Sequence, residues 1–182
     1  MSNVWRSKYT YMICLLLIII AVTGLFLAEK KNASESVVNI QGELSKEYDS
    51  VDALKQDSDL IVEIIATNVN SLKYEGLIFS ITDSTVNKVY KGAIQGSSIK
   101  ILENGGSYEG KEYIFEESPV LKSSESAIVF LKKYNGPITD HAYVVTGAIQ
   151  GKFKKNGSKL HPPHYAPGEL AGVKDIANLR LN

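Results

Sequence analysis

Cysteine is nearly absent from this chain of 182 residues. The single cysteine, Cys14, lies within the apolar run 11–27, so no disulfide can form among the residues that follow the run. An exported domain without disulfides is more typical of a bacterial surface than of a eukaryotic lumen. A lipid-bearing cysteine would follow the apolar run, whereas Cys14 stands near its start. This position argues against a lipoprotein.

An excess of either charge is also missing, because 20 basic residues balance 20 acidic ones. Five of these charges flank the apolar run: Arg6, Lys8, Glu29, Lys30 and Lys31. The rest of the chain therefore carries 16 basic and 19 acidic residues, a net charge of −3. Nucleic acid would require a basic face, so we expect no nucleic-acid partner. We interpret the lysines at 152–159 as a solvated strand edge.

Familiar catalytic motifs are missing as well. No serine stands in a Gly-x-Ser-x-Gly elbow, and the glycines do not have the spacing of a phosphate-binding loop. Asp140 and His141 are adjacent, and neighbours on a strand face opposite ways, so they do not form a base with its orienting partner. Asp57 and Asp59 are interpreted as caps that end a short helix. We therefore expect no enzyme activity and no catalytic residue.

Histidine is scarce, but two of the three histidines form the motif His161-Pro-Pro-His164. A polyproline helix has three residues per turn, so both imidazoles would point to one side. A zinc site requires three or four ligands, which Asp140 with His141, or Glu169, would have to complete. We expect no metal and no cofactor, and a rigid surface strap instead. The alternative is a metal-dependent hydrolase in which His161 and His164 are the metal ligands.

The longest feature that is present is the apolar segment 11–28. About 17 to 18 helical residues cover roughly 26 Å, enough for a thin bilayer core. Cleavage after Ala28 would place the bulky Phe26 three positions before the cut, and cleavage after Ala33 would place Lys31 there. The segment therefore predicts an uncleaved signal anchor; the alternative is a secreted protein after cleavage. We expect residues 1–10 in the cytoplasm and the body outside the cell membrane.

Beyond the anchor, the sequence predicts three further parts. Residues 29–44 have the polar composition of a linker, with a short strand at its end from Val37 to Ile40. Residues 45–158 carry the strand patterns of one mainly β domain. Residues 159–182 begin with a proline-rich strap and end with an expected helix from Glu169 to Leu181.

Within the body, Asp49 or Ser50 can cap a short helix before the first strong strand. That strand, Leu60–Val69, is almost continuously apolar, so it should be covered on both faces. The next strand, Leu77–Tyr90, alternates with period two and places Leu77, Phe79 and Ile81 on one face. Residues 82–85 are polar on both faces and predict a bend or bulge.

Further strands are expected at Ser98–Glu103 and Ala127–Tyr134, with a possible short one at Tyr113–Phe115. Asn104-Gly105-Gly106 predicts a tight turn with positive φ. Residues 142–146 and 151–155 predict a final hairpin around Gly147–Gly151. About five strong strands at this spacing predict a small antiparallel barrel with short flanking helices.

Four segments carry a resemblance to a known family. They are Asp57-Ser-Asp-Leu-Ile-Val-Glu-Ile, Val86-Asn-Lys-Val-Tyr-Lys-Gly92, Ile99-Lys-Ile with Gly105-Gly106, and Ala127-Ile-Val-Phe-Leu. Together they resemble the OB-like β-barrel of netrin-type modules, related to tissue inhibitors of metalloproteinases, and many uncharacterised anchored or secreted proteins of Gram-positive bacteria. The resemblance covers residues 57–155 and implies an OB-like barrel. The animal inhibitors act through an N-terminal cysteine that this body lacks, so protease inhibition is not implied.

Tyrosine is plentiful, with ten in the chain. Seven of them are candidates for a carbohydrate- or peptide-binding face: Tyr74, Tyr90, Tyr108, Tyr113, Tyr134, Tyr143 and Tyr165. The expected function is therefore that of a single-pass membrane protein whose body binds a protein, a peptide or a wall component. Residues 11–28 would contact the lipid bilayer. A third possibility is that this span itself packs against another protein's helix near Ala21 and Gly24.

Overall fold

The computed structural model describes residues 36–44 and 46–181, which form a mainly β structure with one α-helix. The predicted N-terminus 1–10, the anchor 11–28 and the first part of the linker, residues 29–35, lie outside the described residues. Among the residues that are described, no helix has both the length and the apolarity needed to cross a membrane. The mainly β prediction is therefore confirmed for the body alone.

The elements follow one another along the chain in a simple order. The strands are β1 Ser36–Ile40, β2 Leu60–Tyr74, β3 Leu77–Lys91, β4 Ser98–Tyr108, β5 Lys111–Phe115, β6 Ser126–Lys133, β7 Ala142–Val145, β8 Lys152–Asn156 and β9 Lys159–His161. The helix α1 is Val51–Asp57, and two 3₁₀ turns follow at Gly168–Gly172 and Ile176–Leu179. The expected short strand at 37–40 is confirmed as β1. Ser50 is the N-cap of α1, and its side chain accepts from the Ala53 N–H at 3.4 Å.

Five of these strands close into a ring in the order β2, β3, β4, β7, β6. Every neighbouring pair is antiparallel except β4 and β7, which run parallel. β8 pairs with β6, and β9 pairs with β8. On the other side, β5 pairs with β4 and β1 lies parallel to β5. The ring is thus extended by two strands on each side.

The apolar side chains form two layers on either side of β2 and β6. The inner layer fills the ring: Leu60, Val62, Ile64, Ala66, Ile99, Ile101, Leu121, Ala127, Val129, Leu131 and Val145. The outer layer packs α1 and the C-terminal segment against the ring: Tyr48, Val51, Leu54, Ile61, Ile128, Phe130, Phe153, Leu160, Leu170, Val173 and Leu179. β2 is covered on both faces from Leu60 to Ile64 only, whereas the prediction extended this burial to Val69; after Ile64, Ala66 is the one buried residue of the strand. Burial of these side chains is the main force that holds the sheet together.

β3 has the predicted period of two, but its buried face is the polar one. Leu77, Phe79 and Ile81 share a face as expected, yet Leu77 is 56% exposed while Ser80, Thr82 and Ser84 are buried. A small hydroxyl residue suits position 80 because Gly106 of β4 comes close there. The bulge predicted within residues 82–85 lies instead in the partner strand, where β2 has an extra residue, Thr67; residues 82–85 themselves pair with β4 without a register shift.

The expected turn at Asn104–Gly106 is wrong, although its positive φ values are right. Gly105 and Gly106 have φ of 98° and 121° but lie inside β4. β4 pairs with β3 up to Asn104 and with β5 from Gly105 onward, so the glycines mark a change of partner. A side chain on Gly106 would collide with the hydroxyl of Ser80, which is why the strand needs glycine at this approach.

The expected hairpin of residues 142–155 is also wrong. β7 and β8 do not pair with each other; both pair with β6, one after the other. Residues 147–150 loop out between them, because the backbone N–H of Phe130 donates to Gly151 at 2.8 Å and its carbonyl accepts from Thr146 at 2.9 Å. In this loop, Gln150 is buried and forms two hydrogen bonds with the backbone of Tyr48, at 3.0 and 3.1 Å.

The expected C-terminal helix from Glu169 to Leu181 is replaced by the two 3₁₀ turns. Between the turns, the backbone N–H of Leu160 donates to the Lys174 carbonyl at 2.8 Å, which draws this segment alongside β9. Asp175 then caps the second turn through a capping box with Asn178. A continuous helix would lose the contact with Leu160, so tertiary pairing overrides the helical pattern.

Candidate ligand-binding cleft

A cleft of about 910 Å³ opens at the end of the ring where β4 and β7 begin. Two loops border it, residues 92–97 between β3 and β4 and residues 134–141 between β6 and β7. Its lining includes Ile94, Gln95, Tyr134, Asn135, Asp140 and Tyr143. Loops on a rigid sheet are where binding residues most often lie, and this volume suits a small ligand or a segment of a polymer.

Tyr134 is held in place by its own loop. Its backbone N–H donates to the Ala142 carbonyl at 2.9 Å, which continues the pairing of β6 with β7. Its hydroxyl oxygen accepts from the backbone N–H of Ile138 at 3.2 Å. The aromatic ring lies directly over Gly136, where any β-carbon would collide with it. Gly136 therefore makes room for the ring, and the ring is fixed before a ligand arrives.

Tyr143 supplies the second aromatic side chain of the cleft. It lies on β7, opposite Lys133 in one ladder and Ile101 in the other. Both Tyr143 and Ile94 pack against the inner layer of the ring, so the floor of the cleft is apolar. The rim carries amide, hydroxyl and carboxylate groups from Gln95, Asn135, Thr139 and Asp140. This combination can hydrogen-bond hydroxyl and amide groups of a ligand while a tyrosine ring covers its apolar face.

Asp140 and His141 lie on the rim, and both are exposed. His141 adopts a left-handed conformation with φ of 55°, immediately before β7 begins. Non-glycine residues rarely take this conformation, and it sharpens the turn into the strand. The two side chains are available to a ligand at the mouth of the cleft.

Helix α1 ends at Asp57, but its C-cap is Ser58, so the prediction that Asp57 and Asp59 cap the helix is wrong; the two aspartates instead connect it to neighbouring segments. Asp57 accepts hydrogen bonds from Lys132 at 2.7 Å and Lys46 at 3.0 Å, and also from the hydroxyl of Tyr48. Lys132, then Tyr48 and Lys46, hold the pKa of the Asp57 carboxyl well below its ordinary value. Burial, aided by Asp57, raises the pKa of Tyr48 above its ordinary value. Asp59 accepts from the backbone N–H of Lys133 at 2.8 Å.

The two candidate metal ligands lie away from the cleft, on β9 and the strap after it. His161 and His164 are both exposed, and His164 Nε2 lies 2.9 Å from a carboxylate oxygen of Glu117. Glu169 instead accepts from the backbone N–H of Val51 at 3.1 Å and pairs with Arg180. Within the described part of the chain, no three histidine, cysteine or carboxylate side chains are grouped so that they could hold a metal ion.

The seven candidate tyrosines do not form one face. Tyr134 and Tyr143 line the cleft. Tyr90 and Tyr165 donate to the carboxylates of Glu63 and Glu47, at 3.4 and 3.0 Å. The remaining three, Tyr74, Tyr108 and Tyr113, lie on the hairpin arms β2–β3 and β4–β5. The sequence did not indicate that Gln95 and Asn135 line the cleft. The turn pattern Asn135-Gly136-Pro137, next to Tyr134, was the one signal that could have suggested Asn135.

The interpretation of the 152–159 lysines as a solvated edge is wrong for Lys152. Only 4% of its side chain is exposed, and its ammonium lies 2.7 Å from Glu103, which is equally buried. The next two lysines, Lys154 and Lys155, pair with Glu125 and Glu63 at 2.8 and 2.5 Å. Three of the four lysines are therefore paired with carboxylates, and Lys159 is exposed.

No protein-family model matches this sequence, and no curated protein gives a significant match to it. The assignment of a function therefore depends on the cleft and on the chain's own pattern.

Proposed function

We propose that this chain is a single-pass membrane protein whose extracytoplasmic body is an OB-like barrel that binds a wall polysaccharide without catalysis. The ring order β2, β3, β4, β7, β6 supports the OB-like assignment. Its one parallel contact joins β4 and β7, which are the third and fifth ring strands in chain order. In such barrels, the loop between the fourth and fifth strands commonly contacts oligosaccharides or oligonucleotides. Here that loop is residues 134–141, which borders the cleft.

The observation that carries the proposal is the side-chain chemistry of the cleft. Tyr134 and Tyr143 offer rings that can stack on the apolar face of a sugar. The side chains of Gln95, Asn135 and Asp140 can donate to and accept from its hydroxyl groups. A net charge of −3 beyond residue 31 favours a glycan over a nucleic acid.

Binding is tested with the purified full-length chain in detergent micelles and protein-free wall sacculi, together with soluble glycan fragments cut from them. Tyr134→Ala and Tyr143→Ala should each weaken binding about tenfold, because an aromatic contact contributes roughly 0.5–1.5 kcal/mol beyond its burial. The matched control is Tyr74→Ala at the far end of the ring, which should bind like the wild type. Binding to peptide fragments alone would replace the glycan by a peptide, and binding to neither would overturn the proposal.

Gly136→Ala provides a second test, in which no polar or aromatic side chain of the cleft is removed. The new β-carbon would displace the Tyr134 ring from its position over residue 136. The hydrogen bond from the Ile138 backbone N–H to the Tyr134 hydroxyl would then be lost. We expect glycan affinity to fall nearly as far as in Tyr134→Ala. An unchanged affinity would show that the fixed position of the ring does not matter to binding.

The membrane topology is proposed from the apolar segment 11–28 and its flanking charges. Residues 1–10 would be cytoplasmic and the body outside. Protease added to intact cells should therefore degrade the body. A body that survives this treatment, or that is found in the culture fluid beginning near residue 29 or 34, would contradict the anchored topology.

A further inference from the structure

One lysine stands on the inner face of the sheet at the mouth of the cleft. The inner face of β6 carries Ala127, Val129 and Leu131, which are part of the inner layer that fills the ring. Successive side chains of a strand point to opposite faces, so the next residue on this face is Lys133, the last residue of β6. Lys133 is exposed and lines the cleft. The apolar interior of β6 therefore ends in a cation at the cleft.

Lys133 lies beside one of the two aromatic side chains of the cleft. It is directly opposite Tyr143 in the antiparallel ladder of β6 and β7, and the register there has no irregularity. Residues paired in this way share a face, and their β-carbons lie about 4.5–5.5 Å apart. Tyr143 packs against the inner layer, which places both side chains on the inner face. A ligand that stacks on the Tyr143 ring therefore comes within reach of the Lys133 ammonium.

The positive charge of Lys133 is not compensated within the part of the chain that the structure describes. Its backbone N–H donates to Asp59 at 2.8 Å, but its ammonium forms no hydrogen bond or ion pair with another described residue. The preceding residue differs, because the ammonium of Lys132 lies 2.7 Å from Asp57. The charge of Lys133 is thus available to a ligand.

The cleft contains few other charges that could take over this role. Among the described residues that line it, Lys133 is the one lysine or arginine, and Asp140 is the one carboxylate. Asp140 lies on the loop between β6 and β7, and its carboxylate likewise forms no ion pair with a described residue. The two opposite charges line one cleft without pairing. They can therefore contact different groups of a ligand, Asp140 its hydroxyl groups and Lys133 an anion.

We propose that Lys133 selects glycans that carry an anionic group, a carboxylate or a phosphate, on the sugar that stacks on Tyr143. The inference rests on the proposed function of the cleft and names the class of glycan that the cleft binds. A lysine ammonium is a compact point charge, which suits either anion. Because the ammonium is exposed to solvent, the pair should change affinity by at most about fivefold, and salt should weaken it.

The test measures binding of the full-length chain in uncharged detergent micelles to three preparations of soluble, peptide-free wall glycan. The first is untreated, the second has its carboxyl groups reduced to alcohols, and the third has its phosphate removed with hydrofluoric acid. The variants are Lys133→Met, which removes the charge, and Lys133→Arg, which keeps it. The matched control is Lys100→Met, since Lys100 is also exposed but lies on β4 between the inward residues Ile99 and Ile101. Thermal unfolding of each variant is compared with the parent to show that it folds.

We expect the wild type, Lys133→Arg and Lys100→Met to bind untreated glycan about three- to fivefold more tightly at low salt than glycan that lacks its anionic group. Lys133→Met should bind both equally and weakly. Loss of affinity after carboxyl reduction would identify a carboxylate, and loss after phosphate removal would identify a phosphate.

Two results would overturn the inference and leave the proposed function intact. One is a wild type that binds all three preparations equally. The other is a Lys133→Met variant that keeps the wild-type preference for untreated glycan. A wild type that binds none of the three preparations would instead overturn the proposed function, and this inference with it.

Discussion

The two ends of the ring differ in how their polar and charged side chains are exposed to solvent. At the end away from the cleft, Lys152 of β8 donates to Glu103 of β4 at 2.7 Å and to the Pro119 carbonyl at 2.8 Å. The other carboxylate oxygen of Glu103 accepts from the backbone N–H of Leu121 at 3.1 Å. This closed end has its charges buried and hydrogen-bonded. The cleft end is bordered by two loops whose polar side chains are largely exposed.

The difference teaches which end is scaffold and which is available to a ligand. A buried ion pair is tolerated only where each charge finds partners, and removing one partner leaves a costly buried charge. The closed end meets this condition, and Leu121 fills the ring beneath it. The cleft end keeps its charges outside, where Asp57 ties Lys46, Tyr48 and Lys132 together at the surface. Ligand binding there requires no opening of the core.

The largest expected effect comes from breaking the closed end with Lys152→Met. The Glu103 carboxylate would remain buried without its cation, so stability should fall by about 3–5 kcal/mol. Urea unfolding of the full-length chain in detergent micelles measures the loss. The matched control is Lys154→Met, two residues along β8, whose partially exposed pair with Glu125 should contribute less than about 1 kcal/mol.

A double variant separates the electrostatic contribution of the ion pair from the contribution of its side-chain packing. Lys152→Met combined with Glu103→Leu removes both charges and should recover most of the lost stability, because apolar groups of similar size often replace a buried pair without cost. Equal losses in Lys152→Met and Lys154→Met would show that the closed end does not depend on this ion pair.

Lys152 also shows what the sequence could not reveal. The run Lys152-Phe-Lys-Lys resembles a solvated edge, and the partner Glu103 lies 49 residues earlier. The strands β2, β3 and β6 were predictable because their own alternation or continuous apolarity defines them. The arrangement of residues 142–155 and of the C-terminal segment was not predictable, because long-range hydrogen bonds with Phe130 and Leu160 determine it.

The cleft was predictable only in part. Tyr134 and Tyr143 were among seven tyrosine candidates, but nothing local distinguishes them from Tyr90 or Tyr165. They come together because β6 pairs with β7, which places Lys133 opposite Tyr143, and β4 borders the cleft through its parallel pairing with β7. Long-range closure of this kind leaves no periodic signal in the sequence. The histidine motif had the opposite property, since it was conspicuous in sequence and lies on the outer strap, away from the cleft.

A smaller effect should distinguish two buried serines on the inward face of β3. Ser80 donates to the Gly105 carbonyl at 2.8 Å and shares a hydrogen bond with Ser71 at 2.9 Å, so Ser80→Ala should cost about 1–2 kcal/mol. Ser84 lies nearer the cleft end, and its hydroxyl has no hydrogen-bond partner among the described residues. Ser84→Ala should be neutral or stabilising by up to about 1 kcal/mol, because it removes an unpaired buried group. Similar urea midpoints for the two variants would contradict this contrast along β3.

The smallest effect should come from Asp57, which holds the cleft end together from outside. Its pKa is lowered in the folded chain, chiefly by Lys132, so its stabilisation is present above the ordinary aspartate pKa and is lost as pH falls through the lowered value. Asp57→Asn should therefore lower the melting temperature slightly and by a constant amount between pH 7 and pH 5, and the difference from the wild type should disappear only in strong acid. A difference that already shrinks near neutral pH would mean that another group controls it. Because Asp57 is partly exposed, salt should also reduce the difference, whereas it should leave the cost of Lys152→Met at the closed end unchanged.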